Sequence, residues 1–112
     1  MIIIAFSKHT SKILPRILCH NFRHTAPILQ TGRNLVMYQF VRPHHIEKIN
    51  LHARDIKILQ SHGWQFVYVP IDAPHDFTSY ESYSCVDLAK HALGIRNIFI
   101  QTPDSLYKYI TQ

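Results

Sequence analysis

Cysteine is nearly absent from this sequence: Cys19 and Cys85 are the two in 112 residues. That is too few for a disulfide scaffold, and both are expected as free thiols in a reducing compartment. Glycine is scarce too, at three residues. There is no low-complexity run, no internal repeat and no Pro/Ser-rich linker, so residues 1–112 are expected to form one domain. Long apolar runs are missing. Met1-Ile2-Ile3-Ile4-Ala5-Phe6 stops at Ser7-Lys8-His9 with no basic segment before it. It is too short for a signal peptide or a membrane span and reads as a buried strand of a cytoplasmic protein. Acidic residues are fewer than basic ones, 7 against 12, for a net charge of +5. The basic residues are scattered and form no nucleic-acid motif, so the charge is expected to be a solvated, mildly basic surface.

What is present supports a modest core, with 46% hydrophobic and 17% charged residues. Ile2–Phe6 suits a strand covered on both faces. Ile13, Leu14, Ile17 and Leu18 share one face of a short or kinked helix within Thr10–Cys19. Phe22–Leu29 and Leu35–Phe40 flank Gln30-Thr31-Gly32-Arg33-Asn34 and read as a hairpin, with Pro27 marking an edge or bulged strand. With Thr31-Gly32 as the central turn residues, Ile28 faces Leu35 and His24 faces Gln39. A strand over Ile46–Leu51, a helix over Ala53–His62 and a strand over Trp64–Ile71 follow. A polar loop, Asp72–Ser82, leads to a helix starting at Cys85. Ile95–Gln101 reads as a further strand. Thr102 and Pro103 open a last helix with Leu106, Tyr109 and Ile110 on its apolar stripe. The expected class is α+β, with an antiparallel sheet packed against the helix that bears Cys85.

Tyr83–Gly94 is the stretch with chemistry in it. Ser84 is an N-cap, Asp87 can reach back toward it, and Gly94 is the C-terminal stop. Cys85 falls in the first turn, where the peptide dipoles favour a thiolate and a backbone N–H can hold an oxyanion. The plain alternative is a small buried hydrophobe, the usual state of a free cysteine. A nucleophile needs a base and the base an orienting group. Nine histidines are present. His24 opens a strand whose neighbour returns Gln39 to the same level, and an amide there fixes the imidazole tautomer. His62 and His75 remain open as bases, whereas His91, six residues beyond Cys85, points elsewhere. Cys19-His20-x-x-x-His24 and His44-His45 offer metal-ligand types, but no closed zinc set. No metal and no cofactor is expected.

Phe22-Arg23-His24-Thr25-Ala26-Pro27-Ile28 on an early strand, followed by Ser84-Cys85-Val86-Asp87-Leu88-Ala89-Lys90 on a late helix, resembles the circularly permuted papain-like hydrolases. These are relatives of NlpC-type peptidases and of the lecithin:retinol acyltransferase group. The closing segment, Leu93-Gly94-Ile95 through Thr102-Pro103-Asp104-Ser105-Leu106-Tyr107, resembles small proteins of that type. The resemblance implies a permuted papain-like domain with Cys85 as nucleophile, His24 as base and Gln39 as the third polar residue, and Ser84 at the oxyanion-bearing helix start. It implies a peptide, amide or ester substrate. The chain departs from the family in lacking both the Asp-Cys-Ser-Gly and the Asn-Cys-Glu-His wording. The contrasting expectation is a non-catalytic binding or structural module on the same fold.

Overall fold

A computed structural model describes residues 1–8, 24–43, 45–74, 76–79 and 82–112. The helix expected within Thr10–Cys19 lies outside them, as do Cys19, His9, His20, His44 and His75. Among the described residues nine elements follow one another: β1 (Ile2–Ser7), β2 (His24–Thr31), β3 (Asn34–Arg42), β4 (His45–Leu51), α1 (Ala53–Ser61), β5 (Gln65–Val69), a 3₁₀ turn (Phe77–Ser79), α2 (Cys85–Leu93) and α3 (Pro103–Ile110). The fold is mixed α+β. Its five strands form one antiparallel sheet in the order β4-β3-β2-β1-β5.

β1 is buried along its whole length, which is why its sequence is apolar without alternation. Ile2, Ile4 and Phe6 meet Val86, Ala89 and Leu93 of α2, together with Leu106 of α3 and Ile100 from the segment before it. Ile3 and Ala5 face the other way, toward Ala26, Ile28, Met37 and Ile56 of α1. The sheet therefore carries α1 on one face and α2 with α3 on the other. Each large β1 side chain removed from water contributes about 1.5–3 kcal/mol.

The β2–β3 hairpin turns two residues away from the expected register. Thr31 pairs with Asn34, and Ile28 faces Met37 rather than Leu35. The central turn residues are Gly32 and Arg33. Tight hairpin turns need positive φ at the first central position, and Gly32 takes it at 62°. Threonine, being β-branched, resists that conformation, so the turn moves to the glycine. Pro27 does not lie on an edge strand, since β2 sits between β1 and β3. The β2–β3 ladder ends at Ile28–Met37 although both strands run on; Pro27 has no N–H with which to extend it.

Three further expectations are corrected. Ile95–Gln101 is not a strand. Asn97 folds it back, its side chain accepting from the Phe99 N–H at 2.9 Å and its carbonyl from the Ile100 N–H at 3.3 Å. This asparagine turn overrides the β-propensity of its neighbours. Ile98 and Phe99 are left 70% and 84% exposed, while Ile100 enters the core and Ile95 packs against it. On α3 the inward residues are Leu106, Tyr107 and Ile110, while Tyr109 faces outward. The strand expected over Trp64–Ile71 is shorter, Gln65–Val69, and lies at a sheet edge.

The ends of α2 follow its sequence closely. Ser84 Oγ accepts from the Asp87 N–H at 3.1 Å. The Asp87 carboxylate accepts from the Tyr83 N–H at 3.2 Å, one residue before the cap, rather than from Ser84. At the other end Gly94 adopts φ 71°. Its N–H donates to His91 and the Ile95 N–H donates to Lys90 at 2.9 Å, the paired bonds of a Schellman stop. Gly94→Ala is therefore expected to destabilise the protein by about 1 kcal/mol, because a side chain opposes left-handed backbone. Urea denaturation checks this; an unchanged midpoint would mean that the left-handed stop contributes nothing.

Candidate active site

The site is where the start of α2 meets the start of β2. Val86, Ala89 and Leu93 point into the sheet, and this packing holds Cys85, the first residue of the helix, half-buried against the same core. Thr25 anchors the strand: its hydroxyl, fully buried, donates to the Ala5 carbonyl at 2.8 Å. The Thr25 backbone N–H lies beyond the end of the β2–β3 ladder and is turned to the Cys85 sulfur, as are the N–H groups of Val86 and of Cys85 itself.

These contacts act on the thiol in opposite senses. Burial raises its pKa above the ordinary thiol value and is the largest influence. The three N–H groups pull it down, and the nearby Asp87 charge pushes it up. Desolvation prevails, so the resting group is a neutral thiol. The helix start and its neighbours do not make a free-standing thiolate.

His24 and Gln39 do come together. His24 Nε2 and Gln39 Oε1 are 2.6 Å apart. The amide's other end donates to Met37 Sδ at 3.3 Å, which leaves the carbonyl oxygen for the imidazole. A carbonyl accepts only, so Nε2 carries the proton, and in the neutral ring Nδ1 is the nitrogen with the lone pair. The Trp64 ring stands edge-on to the imidazole, with centroids 6.2 Å apart and planes at 89°. The expected pairing of His24 with Gln39 thus holds as a contact, although their strands are offset from the expected register.

Cys85 and His24 approach the same strand from different sides. Alternation along β2 sends His24 with Ala26 and Ile28 toward the α1 face, whereas α2 covers the other face. The sulfur reaches β2 at Thr25, the residue next to His24, and among the described residues no hydrogen bond joins sulfur to imidazole. Ser84 serves as the cap that starts the helix. His62 lies at the end of α1, and His91 accepts or donates at Nδ1 to Ser82 Oγ, 3.1 Å away, so neither stands beside Cys85.

Three contributors escaped the sequence. Trp64 packs on the imidazole, Met37 orients Gln39, and Thr25 brings a backbone donor to the sulfur. Trp64 is the single tryptophan of the chain, a signal of sorts; a backbone N–H leaves none. Among the described residues no three His, Cys, Asp or Glu side chains gather as a metal set. The two histidine pairs weighed as ligands fall partly outside those residues. No helix among them is long and apolar enough to cross a membrane. No family model, curated protein or solved structure matches the chain.

The raised thiol pKa has a consequence for stability. Below the ordinary thiol pKa both folded and unfolded chains hold the proton, and the buried thiol contributes in full. As pH rises through that value the unfolded chain ionises first, so stability falls. Denaturation midpoints of the native protein are expected to drop more steeply in this alkaline window than those of Cys85→Ser. Parallel pH profiles for the two would contradict the burial of the thiol.

Proposed function

We propose that the chain is a cysteine hydrolase or acyltransferase built on a permuted papain-like plan, acting on an amide or ester carbonyl. The observation that carries this reading is that the Cys85 sulfur reaches β2 at Thr25, the residue next to His24, although the two side chains rest on opposite faces of the sheet. The first is a helix-start sulfur ringed by N–H donors; the second is an imidazole whose tautomer is set by Gln39.

In the proposed reaction His24 Nδ1 takes the proton of Cys85 as the sulfur bonds to the carbonyl carbon. The oxygen gains the electron pair of the C=O bond and is held by backbone N–H groups at the start of α2. The tetrahedral intermediate collapses, and the imidazolium passes its proton to the departing amine or alcohol. A thioester remains on Cys85. Water, or a second nucleophile in a transferase, then adds with His24 as base, releasing the acyl product and restoring the thiol. Gln39 sets the tautomer of the resting ring, accepting from Nε2–H. Because the resting thiol is neutral, proton transfer must accompany attack, and for this the His24 ring, at the first residue of β2, has to swing from the α1 face to the sulfur.

The rival reading, a non-catalytic binding or structural module on the same fold, has one observation of its own: a half-buried thiol with a raised pKa and, among the described residues, no bond to a base. The two separate by reactivity. With p-nitrophenyl acetate the enzyme should show a burst of one product per chain, with the acyl group on Cys85 by mass spectrometry, and label Cys85 far faster than Cys19. His24→Ala should slow acylation by about 10²–10⁴-fold, and Gln39→Ala by less. Equal, slow labelling of both cysteines, unchanged in His24→Ala, would favour the binding module.

A further inference from the structure

We infer that a second site, on the outer side of α2, binds a small organic anion bearing a carboxylate or phosphate. A cleft of about 360 Å³ is lined by Pro74, Asp87, Lys90, His91, Ile95 and Arg96. Its volume falls within the range of small-molecule pockets. Asp87, Lys90 and His91 recur at helical spacing on one side of α2, and Cys85 is not part of the lining.

The charge of this cleft is what needs explaining. Lys90 is only 7% exposed, yet lysine is rarely buried without a counter-charge. Its ammonium donates to the Ile100 carbonyl at 3.0 Å, and among the described residues no carboxylate pairs with it. An ammonium has three donors, and one carbonyl leaves two for a ligand. Arg96, exposed on the rim, also has no carboxylate partner among those residues. The one acid in the lining, Asp87, accepts from the Tyr83 N–H at the far end of the helix's first turn. Two cations thus face one carboxylate. Pro74 and Ile95 supply apolar walls for the body of the ligand. A bound oxyanion would take the free donors of Lys90 and the guanidinium fork of Arg96, giving charge-assisted bonds to both.

The inference does not rest on the thiol chemistry. Benzoate and phenyl phosphate serve as probes, with benzyl alcohol as the neutral control, each added to about 20 mM. The readout is the set of backbone amide NMR shifts. The expected result is saturable movement at Gly94, Ile95 and Arg96 with the anions and none with the alcohol. The stronger of the two anions identifies the source as carboxylate or phosphate. Lys90→Met and Arg96→Gln should each weaken binding about tenfold, while Cys85→Ala should bind as the native protein does. Arg96 is exposed, so its variant folds whatever the fate of Lys90→Met. No shifts with either anion, equal shifts with the alcohol, or full binding by Arg96→Gln and Lys90→Met would each overturn the inference.

Discussion

The packing of α2 on the apolar face of β1 is the contact on which the rest depends. Val86, Ala89 and Leu93 lie against Ile2, Ile4 and Phe6, and Leu106 of α3 closes the same cluster. Because β1 is buried on its other face as well, the sheet must be covered by helices on both sides. The same contact decides where the first turn of α2 points. Were the helix to slide by one turn, about 5 Å, Cys85 would leave the start of β2. Core packing and site geometry are therefore one problem in this protein, solved by small residues such as Ala89 and Ala92 that let helix and sheet approach.

Around the sulfur, two physical effects compete. A helix start offers backbone donors, which favour negative charge. Seating that start in a core strips away water, which opposes it. Here burial wins at rest. The half-buried thiol is neutral, yet N–H groups already surround the atom on which charge would develop. On the imidazole side there is no such conflict: Gln39 is uncharged and fixes the tautomer.

Much of the architecture was legible in the residues, for reasons that can be named. The apolar run of β1, the Ser84 cap, the Gly94 stop and the Thr102-Pro103 start each have a local cause. The His24–Gln39 contact was legible despite a misplaced turn. A register error of two residues keeps every side chain on its face, whereas an error of one would have reversed it. Long side chains then bridge the offset. The stretch Ile95–Gln101 misled because β-propensity describes a half-buried surface rather than a backbone preference, and Asn97 supplies a competing turn. The donor at Thr25 was invisible, since every residue except proline carries the same N–H. Trp64 and Met37 were legible as core residues but not as partners of the site, because their role depends on which strands become neighbours.

The central proposal is that the His24 ring, at the head of β2, can reach the Cys85 sulfur lodged at Thr25. The most direct measurement is ¹⁵N imidazole NMR of the Cys19→Ser protein, before and after converting Cys85 to its methyl disulfide. The account predicts His24 as the Nε2–H tautomer in the free protein and a marked shift of its Nδ1 resonance on modification, with His62 and His91 unmoved. An unmoved His24 signal, or one already in the other tautomer, would contradict it.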